Sequence, residues 1–266
     1  MKIVDMHTHA FPEKIAVRAI EKLAETTGNY RPHLDGRISS LLSSMDEAGV
    51  DVAVLSSIAT KESQAASILE WSKQIRSARI EPLPSFHPFS KTFESEITAI
   101  AGAGFRGVKL HPFYQDFNPD DEALSPVWDA LRSAGLFVLF HSGNDISFPC
   151  MTNAAPERIA KVHARFPGLE IIAAHLGGWH DWDDVMRYLA GKDIGLDTSF
   201  SHEVDPSLAQ RILDAHSPDL VYFGSDSPWT SQKESVGFIR SLGISSERKE
   251  KILGLNAGRL FGFGED

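Results

Sequence analysis

Short runs of apolar, β-branched or aromatic residues alternate along this chain with longer amphipathic segments. Some of the runs are almost continuously apolar, as in Phe137–Phe140, which is typical of parallel strands covered by helices. We predict strands at Ile3–Ala10, Val50–Ile58, Ile80–His87, Phe105–His111, Leu136–His141, Leu169–His175, Ile194–Ser199 and Leu220–Asp226. Helical patterns between them include Lys61–Ser77, Asp120–Ala134, Ala155–Phe166 and Glu247–Phe261. Eight strand–helix units without an obvious linker favour one (β/α)8 TIM barrel domain over residues 1–266, with a doubly wound open sheet as the alternative.

Polar and ionisable side chains fall at the ends of six of these eight predicted strands. They are His7, His9, His87, Lys109, His111, His141, His175 and Asp226. In barrels of this class the active site lies at the carboxyl ends of the strands. The shared position therefore predicts one active site, whereas a separate capping or loop role would explain any one residue but not the set.

Composition narrows the function classes. The 266 residues carry a net charge of -10, which argues against general binding to nucleic acid or to an anionic membrane. The single cysteine, Cys150, excludes an intrachain disulfide and suits a reducing compartment. Because no apolar run approaches ~18 residues and no signal peptide is evident, we expect a cytoplasmic protein acting on a small molecule, with a homodimer as the default assembly.

The spacing of the first two histidines is the most informative local feature. Strand side chains alternate, so His7 and His9 are predicted on one side with Asp5, opposite Val4 and Met6. Two imidazoles at a strand end form half of a metal site. Neutral imidazoles with one carboxylate suit Zn²⁺ best, in one or two ions, with Mn²⁺ or Fe²⁺ as alternatives.

Three segments resemble a known family. They are Asp5–His9, His175–Gly178 and Gly224–Trp229, and Ile252–Phe261 is similar to the last helix of the same family. The family is the amidohydrolase superfamily, in the branch of metal-dependent TIM barrels that includes aminocarboxymuconate semialdehyde decarboxylase.

The resemblance implies roles at matching positions. His7, His9, His141 and Asp226 would bind metal, and His175 would bind a second metal or act as acid/base. Lys109 would either be carboxylated and bridge two ions or contact a substrate carboxylate.

The remaining candidates are weaker. We predict substrate contacts from Lys109, His111, His87, Asn144 and Trp179. His87 and His111 could equally be structural residues at the rim of the site. Trp179 and Trp229 could instead pack against neighbouring side chains. His202 and Arg37 are further candidates whose ordinary interpretation is a solvated loop residue.

These observations favour a metal-dependent hydrolase in which a metal-activated water attacks an amide, lactone or related bond. Asp226, with His175, would be catalytic by transferring the proton. The alternative enzyme is a metal-dependent non-oxidative decarboxylase of a small unsaturated or aromatic carboxylic acid. A metal-retaining barrel without activity is a third hypothesis, which the complete set of expected ligands disfavours.

Overall fold

Eight parallel strands form the centre of the computed structural model, which describes residues 1–148 and 151–263. Cys150 lies outside the described residues. The strands are β1 (Val4–Thr8), β2 (Val52–Ser56), β3 (Ile80–Leu83), β4 (Gly107–Leu110), β5 (Phe137–Phe140), β6 (Ile171–Ala173), β7 (Gly195–Asp197) and β8 (Val221–Tyr222). Each lies within its predicted run, and the polar residues after the strand belong to the loops at its carboxyl end.

The strands pair in chain order and the sheet closes on itself. Ladders join β1 to β3 and β4 to β8. Hydrogen bonds cross both seams, from the Lys109 amide to the Pro84 carbonyl at 3.0 Å and, between β1 and β8, from the Met6 amide to the Phe223 carbonyl at 2.7 Å and from the Asp226 amide to the His7 carbonyl at 2.7 Å. Pro84 has no N–H to return, which shortens pairing at the first seam. The (β/α)8 barrel is therefore confirmed, and the open-sheet alternative is wrong.

Helices surround the barrel, and the part of the chain described contains eleven. They are α1 (Ala16–Ala24), α2 (Ile38–Ala48), α3 (Ala65–Ile75), α4 (Phe93–Gly102), α5 (Ser125–Ser133), α6 (Pro156–Arg165), α7 (Trp182–Tyr188), α8 (Pro206–Ala215), α9 (Gln232–Ser241), α10 (Ser246–Glu250) and α11 (Asn256–Phe261). A π-helical turn over Lys251–Leu255 connects the last two, and its Ile252 carbonyl accepts from the Phe223 amide at 2.8 Å. None of the helices in the described ranges is long and apolar enough to cross a membrane.

Two apolar layers stabilise the fold. The larger lies between strands and helices, and the smaller fills the barrel interior with residues such as Val4, Met6, Phe137 and Leu139. Burying one such side chain contributes roughly 1.5–3 kcal/mol relative to leaving it exposed. Because these residues fill the interior, polar side chains collect above them, at the carboxyl ends of the strands.

The predicted side-chain alternation in β1 is wrong for Asp5. The register against β2 shifts between Asp5 and Thr8, which interrupts the period of two. Asp5 accepts hydrogen bonds from Ser225 and from Gln232 of α9, at 2.6 and 2.8 Å, and burial raises its pKa to about 6. Asp5 therefore connects β1 to α9 through Gln232 instead of lying beneath His7 and His9.

Candidate active site

Seven of the eight predicted strand-end residues meet in one cavity of about 430 Å³, and His87 does not line it. Those lining it are His7, His9, Lys109, His111, His141, His175, Asp226, Trp179 and Trp229. Residues from five different strand ends thus share one space, as the barrel topology requires. The predicted active site is brought together, although the contacts assign its members to different groups.

His7 and His9 are each held in one tautomer. The Nδ1 of His7 lies 2.9 Å from Asp197 Oδ2, and the Nδ1 of His9 lies 2.9 Å from the carbonyl oxygen of Ser56. Carboxylate and carbonyl oxygens only accept, so both Nδ1 atoms carry the proton and both Nε2 atoms present lone pairs. Burial, with Lys109 nearby, holds the pKa of His7 well below its usual range, so this imidazole is neutral.

The Nε2 atoms face one carboxylate. Asp226 Oδ1 lies 3.1 Å from His9 Nε2 and 3.5 Å from His7 Nε2. Asp226 has a left-handed backbone with φ of 66°, a conformation that costs on the order of 1–3 kcal/mol and clusters at functional sites. Its amide donates to the His7 carbonyl at 2.7 Å, which ties the end of β8 to β1. The seam of the barrel therefore positions the three groups.

This donor set fits a divalent metal ion. The ligand atoms of His7, His9 and Asp226 all lie within 4.8 Å of one another. Lone pairs that face each other repel unless a cation or a proton lies between them. Of the buried carboxylates, Asp145, Asp197 and Asp226 contact the histidines of the site through their side chains, and these three outnumber the one buried lysine, leaving two negative charges when all are ionised. Nitrogen and oxygen donors of this type suit Zn²⁺, Mn²⁺ or Fe²⁺.

Lys109 is fully buried at the end of β4. Its Nζ lies 3.0 Å from His7 Nε2 and donates to that lone pair. Burial lowers the pKa of Lys109 to about 8, although Asp197, Asp226 and Asp145 act in the opposite direction. The lysine is therefore the one cationic side chain among the described residues that line the cavity.

His141 and His175 form a chain of hydrogen bonds. The Nε2 of His141 lies 2.8 Å from the Asn144 carbonyl, which only accepts, so its Nδ1 presents a lone pair to His175 Nε2 at 3.0 Å. The Nδ1 of His175 in turn lies 2.8 Å from the Ser199 hydroxyl. Burial lowers the pKa of both imidazoles well below the usual range. The chain fixes each neutral ring in one tautomer, and it ends at a carbonyl that does not take up a proton.

The contacts of His141 differ from those of the other predicted ligands. Both of its ring nitrogens have hydrogen-bond partners, and its ring stacks on His111 at 4.1 Å between centroids. Its metal-donor neighbours are His111 and Asp145, not the His7 group. Gly143, with φ of 86°, allows this loop to approach the Trp179 backbone so closely that a side chain would clash there. The ligand role of His141 stays a prediction.

Four candidates do not line this cavity. His87 accepts from the Phe89 amide, and the Asn144 side chain donates weakly to Asp181 at 3.4 Å. Arg37 pairs with Asp35 and Glu13. His202 lines a neighbouring pocket of about 370 Å³. Their predicted substrate contacts therefore lack support from the geometry of the cavity.

Three functional neighbours were not singled out from the sequence. Asp197 orients His7 and accepts from the His175 amide at 3.1 Å, and the Ser199 hydroxyl contacts both Asp197 and His175. Asp145 lies 3.4 Å from His111 Nε2. The signal for Asp197 and Ser199 was their position at the end of β7, matching the other strand ends. Asp145, four residues beyond His141 in a loop, offered no comparable signal.

Comparisons with known proteins agree with this architecture. The amidohydrolase family model matches residues 4–263. No curated protein sequence matches significantly.

Solved structures share the fold at low sequence identity. An uncharacterised TIM-barrel protein from Bordetella bronchiseptica is 22% identical, with a TM-score of 0.77 over 98% of this chain and 99% of its own. The 5-carboxyvanillate decarboxylase from Sphingomonas paucimobilis is 18% identical, with a TM-score of 0.74 over 98% and 99%. A 5-carboxyvanillate decarboxylase from Novosphingobium aromaticivorans, complexed with manganese and a nitrobenzoic acid, is 13% identical, with a TM-score of 0.75 over 98% and 96%.

Proposed function

This chain belongs to the amidohydrolase family, and we propose that it is a metal-dependent non-oxidative decarboxylase of a small unsaturated or aromatic carboxylic acid. The single observation that carries the proposal is the pairing of a metal donor set with one buried lysine at the same end of the cavity. The decarboxylases among the similar structures favour this reaction over the hydrolysis that the sequence suggested.

The metal donors His7, His9 and Asp226 and the ammonium of Lys109 together create a place for one anion. A divalent ion held there would supply positive charge to a bound carboxylate and to negative charge developing on the substrate. Lys109 adds a hydrogen-bond donor and a charge beside His7. A carboxylate bound between them is thereby oriented, with its C–C bond directed toward the cavity.

Decarboxylation breaks that C–C bond and leaves an electron pair on the substrate carbon, which must receive a proton. Asp226 is the group we assign to this transfer. Its Oδ1 faces the two histidines, so Oδ2 is the oxygen left free to transfer a proton. His175 and His141, which are neutral, are poorer acids.

The direct test is carbon dioxide release from ortho-hydroxybenzoates and from unsaturated carboxylic acids by manganese- or zinc-loaded protein. Asp226→Asn keeps the size of the side chain but removes the proton, and a lost general acid costs about 10²–10⁴-fold in rate. Lys109→Gln should weaken acid binding while the bound metal is retained. Carbon dioxide release that survives in Asp226→Asn would contradict the assigned proton donor.

Hydrolysis is the second candidate function, because the same donor set could activate a water beside Asp226. The same preparations separate the two reactions. Turnover of lactones or amides without release of carbon dioxide from any acid would replace the decarboxylase proposal with the hydrolase one.

A further inference from the structure

The outer half of the cavity is apolar and is formed by stripes on two helices. Ile15, which precedes α1, and Ala19 and Leu23 within it are spaced four residues apart and all line the cavity. From α3, Ile68 and Trp71 line it, three residues apart. Residues three or four apart lie on one face of a helix. Each helix therefore presents an apolar stripe to the cavity, and Ser67 of α3 lines it beside Ile68.

The stripe on α1 is incompletely covered by the protein. Ile15 is 51% exposed, and among the large exposed hydrophobic side chains of the described ranges it alone lines this cavity. The remaining surface of α1 carries charged, exposed residues such as Arg18, Glu21 and Lys22. The apolar surface is thus concentrated where a bound ligand would cover it.

The inner half limits the charge of that ligand. Within residues 1–148 and 151–263, Lys109 is the only lysine or arginine in the lining, and Asp145 and Asp226 supply negative charge beside it. A second carboxylate on the ligand would have no cationic side chain to pair with, and an unpaired buried charge is costly. The cavity therefore favours one acid group at one end.

The volume leaves room for a substantial apolar body. A cavity of about 150 Å³ lined by apolar side chains is enough to bind benzene, and this one measures about 430 Å³. The space beyond the acid-binding end is therefore larger than a single ring needs.

We propose that the stripes of α1 and α3 form a subsite for an apolar extension, alkyl or aryl, on a monocarboxylic substrate. This inference depends on the proposed function for the acid-binding end alone. Leu23 and Ile68, one from each stripe, are then determinants of chain-length specificity.

The probes are straight-chain alkanoic acids from butanoic to dodecanoic acid, which are not turned over. Their dissociation constants for the metal-loaded protein are measured by calorimetry. If each added methylene enters the subsite, affinity rises about fourfold per methylene until the cavity is filled. Affinity that does not change with chain length would overturn the proposal, including the case in which a second copy of the chain covers Ile15.

Variants assign the effect to the stripes. Leu23→Ser and Ile68→Ser should weaken decanoic acid binding at least tenfold and leave butanoic acid binding unchanged. Val17→Ser is the matched control, since Val17 belongs to α1 but does not line the cavity. Thermal unfolding of each variant confirms that it is folded.

An equal loss in the control would reject the subsite. Since these acids are not substrates, chain-length dependence without carbon dioxide release from any acid would remove the proposed function and leave the subsite standing.

Discussion

Two groups in the cavity each consist of two histidines and one aspartate, but they differ in whether hydrogen bonds orient their ligand atoms toward a metal ion. His7, His9 and Asp226 form one, and His111, His141 and Asp145 form the other, each with its ligand atoms within 4.8 Å. In the first group every Nδ1 proton is engaged and both Nε2 lone pairs converge on one carboxylate oxygen.

The second group lacks this arrangement. The Nε2 of His141 donates to a backbone carbonyl, and the buried Nδ1 of His111 has no partner among the described atoms. Its two imidazoles are stacked, and their Nε2 atoms lie 3.4 and 3.7 Å from Asp145. A count of donors therefore does not identify a metal site. The hydrogen bonds that fix the tautomer decide which cluster is ready to bind.

The largest effect should come from removing a prepared donor. His9→Ala should lower metal affinity by more than 100-fold and abolish turnover, because it removes one of the three donor atoms, the Nε2 that lies 3.1 Å from Asp226. Metal content per chain by elemental mass spectrometry checks this. Full metal content in the variant would contradict the ligand assignment.

His141→Ala, measured in the same way, shows which group His141 serves. A loss equal to that in His9→Ala would support the family-implied ligand role. Retained metal with slower turnover would instead give His141 a positioning role through its hydrogen bond with His175.

A smaller effect is expected from the residue that orients a ligand. Asp197→Asn keeps the shape but weakens the acceptor for His7 Nδ1, and the loss of such an outer partner typically costs 10–100-fold in metal affinity. Competition with a chelator of known affinity measures the change. Affinity equal to that of the unaltered protein would show that tautomer control by Asp197 does not matter.

Asp145→Asn should change metal affinity less than threefold, since Asp145 belongs to the second group, in which hydrogen bonds do not orient the histidines for metal binding. The same chelator competition gives the value, with Asp197→Asn as the matched substitution at a buried aspartate. Two ions per chain in the unaltered protein and one in Asp145→Asn would make the second group a metal site and break the comparison.

Much of this site followed from strand-end positions in the sequence. His7, His9, Lys109, His111, His141, His175 and Asp226 were predicted to converge, and they do, because the barrel brings all carboxyl ends to one face. The distribution of hydrogen bonds among them could not be predicted, since tertiary packing brings Asp197, at the end of β7, to His7, and the path of the loop after β5 brings the Asn144 carbonyl to His141.

The errors have physical causes as well. Asp5 was misplaced because a register shift interrupts the alternation of β1. His87 and Asn144 lie in loops, whose direction strand periodicity does not determine, and their substrate contacts stay predictions. The apolar stripe of α1 can be recognised in the sequence from its four-residue spacing. Its position facing the cavity depends on tertiary packing and could not be predicted.

A substitution at His216 should have the smallest effect on metal binding. Both of its ring nitrogens are hydrogen-bonded, so it tests whether such bonds alone mark a histidine of the active site. It lies directly after α8, away from both groups, with its Nδ1 accepting from the Gly191 amide at 3.2 Å and its Nε2 donating to the Ile194 carbonyl at 2.9 Å. Burial first, and then Arg248, lowers the pKa of His216 below 6.5. We therefore expect it to stabilise the fold without affecting the metal.

The sign of the pH dependence follows from the lowered pKa. Below about pH 6.5 the unfolded chain binds a proton at His216 that the folded chain does not, so stability falls with falling pH by up to about 1.4 kcal/mol per pH unit. His216→Gln loses this dependence but also loses hydrogen bonds, so it should be about 1 kcal/mol less stable at pH 8 and closer to the unaltered protein at pH 5. Urea unfolding at both pH values measures the two differences. An equal difference in the free energy of unfolding at both pH values would contradict the prediction. It would show that the protonation state of His216 does not change on unfolding between pH 5 and pH 8.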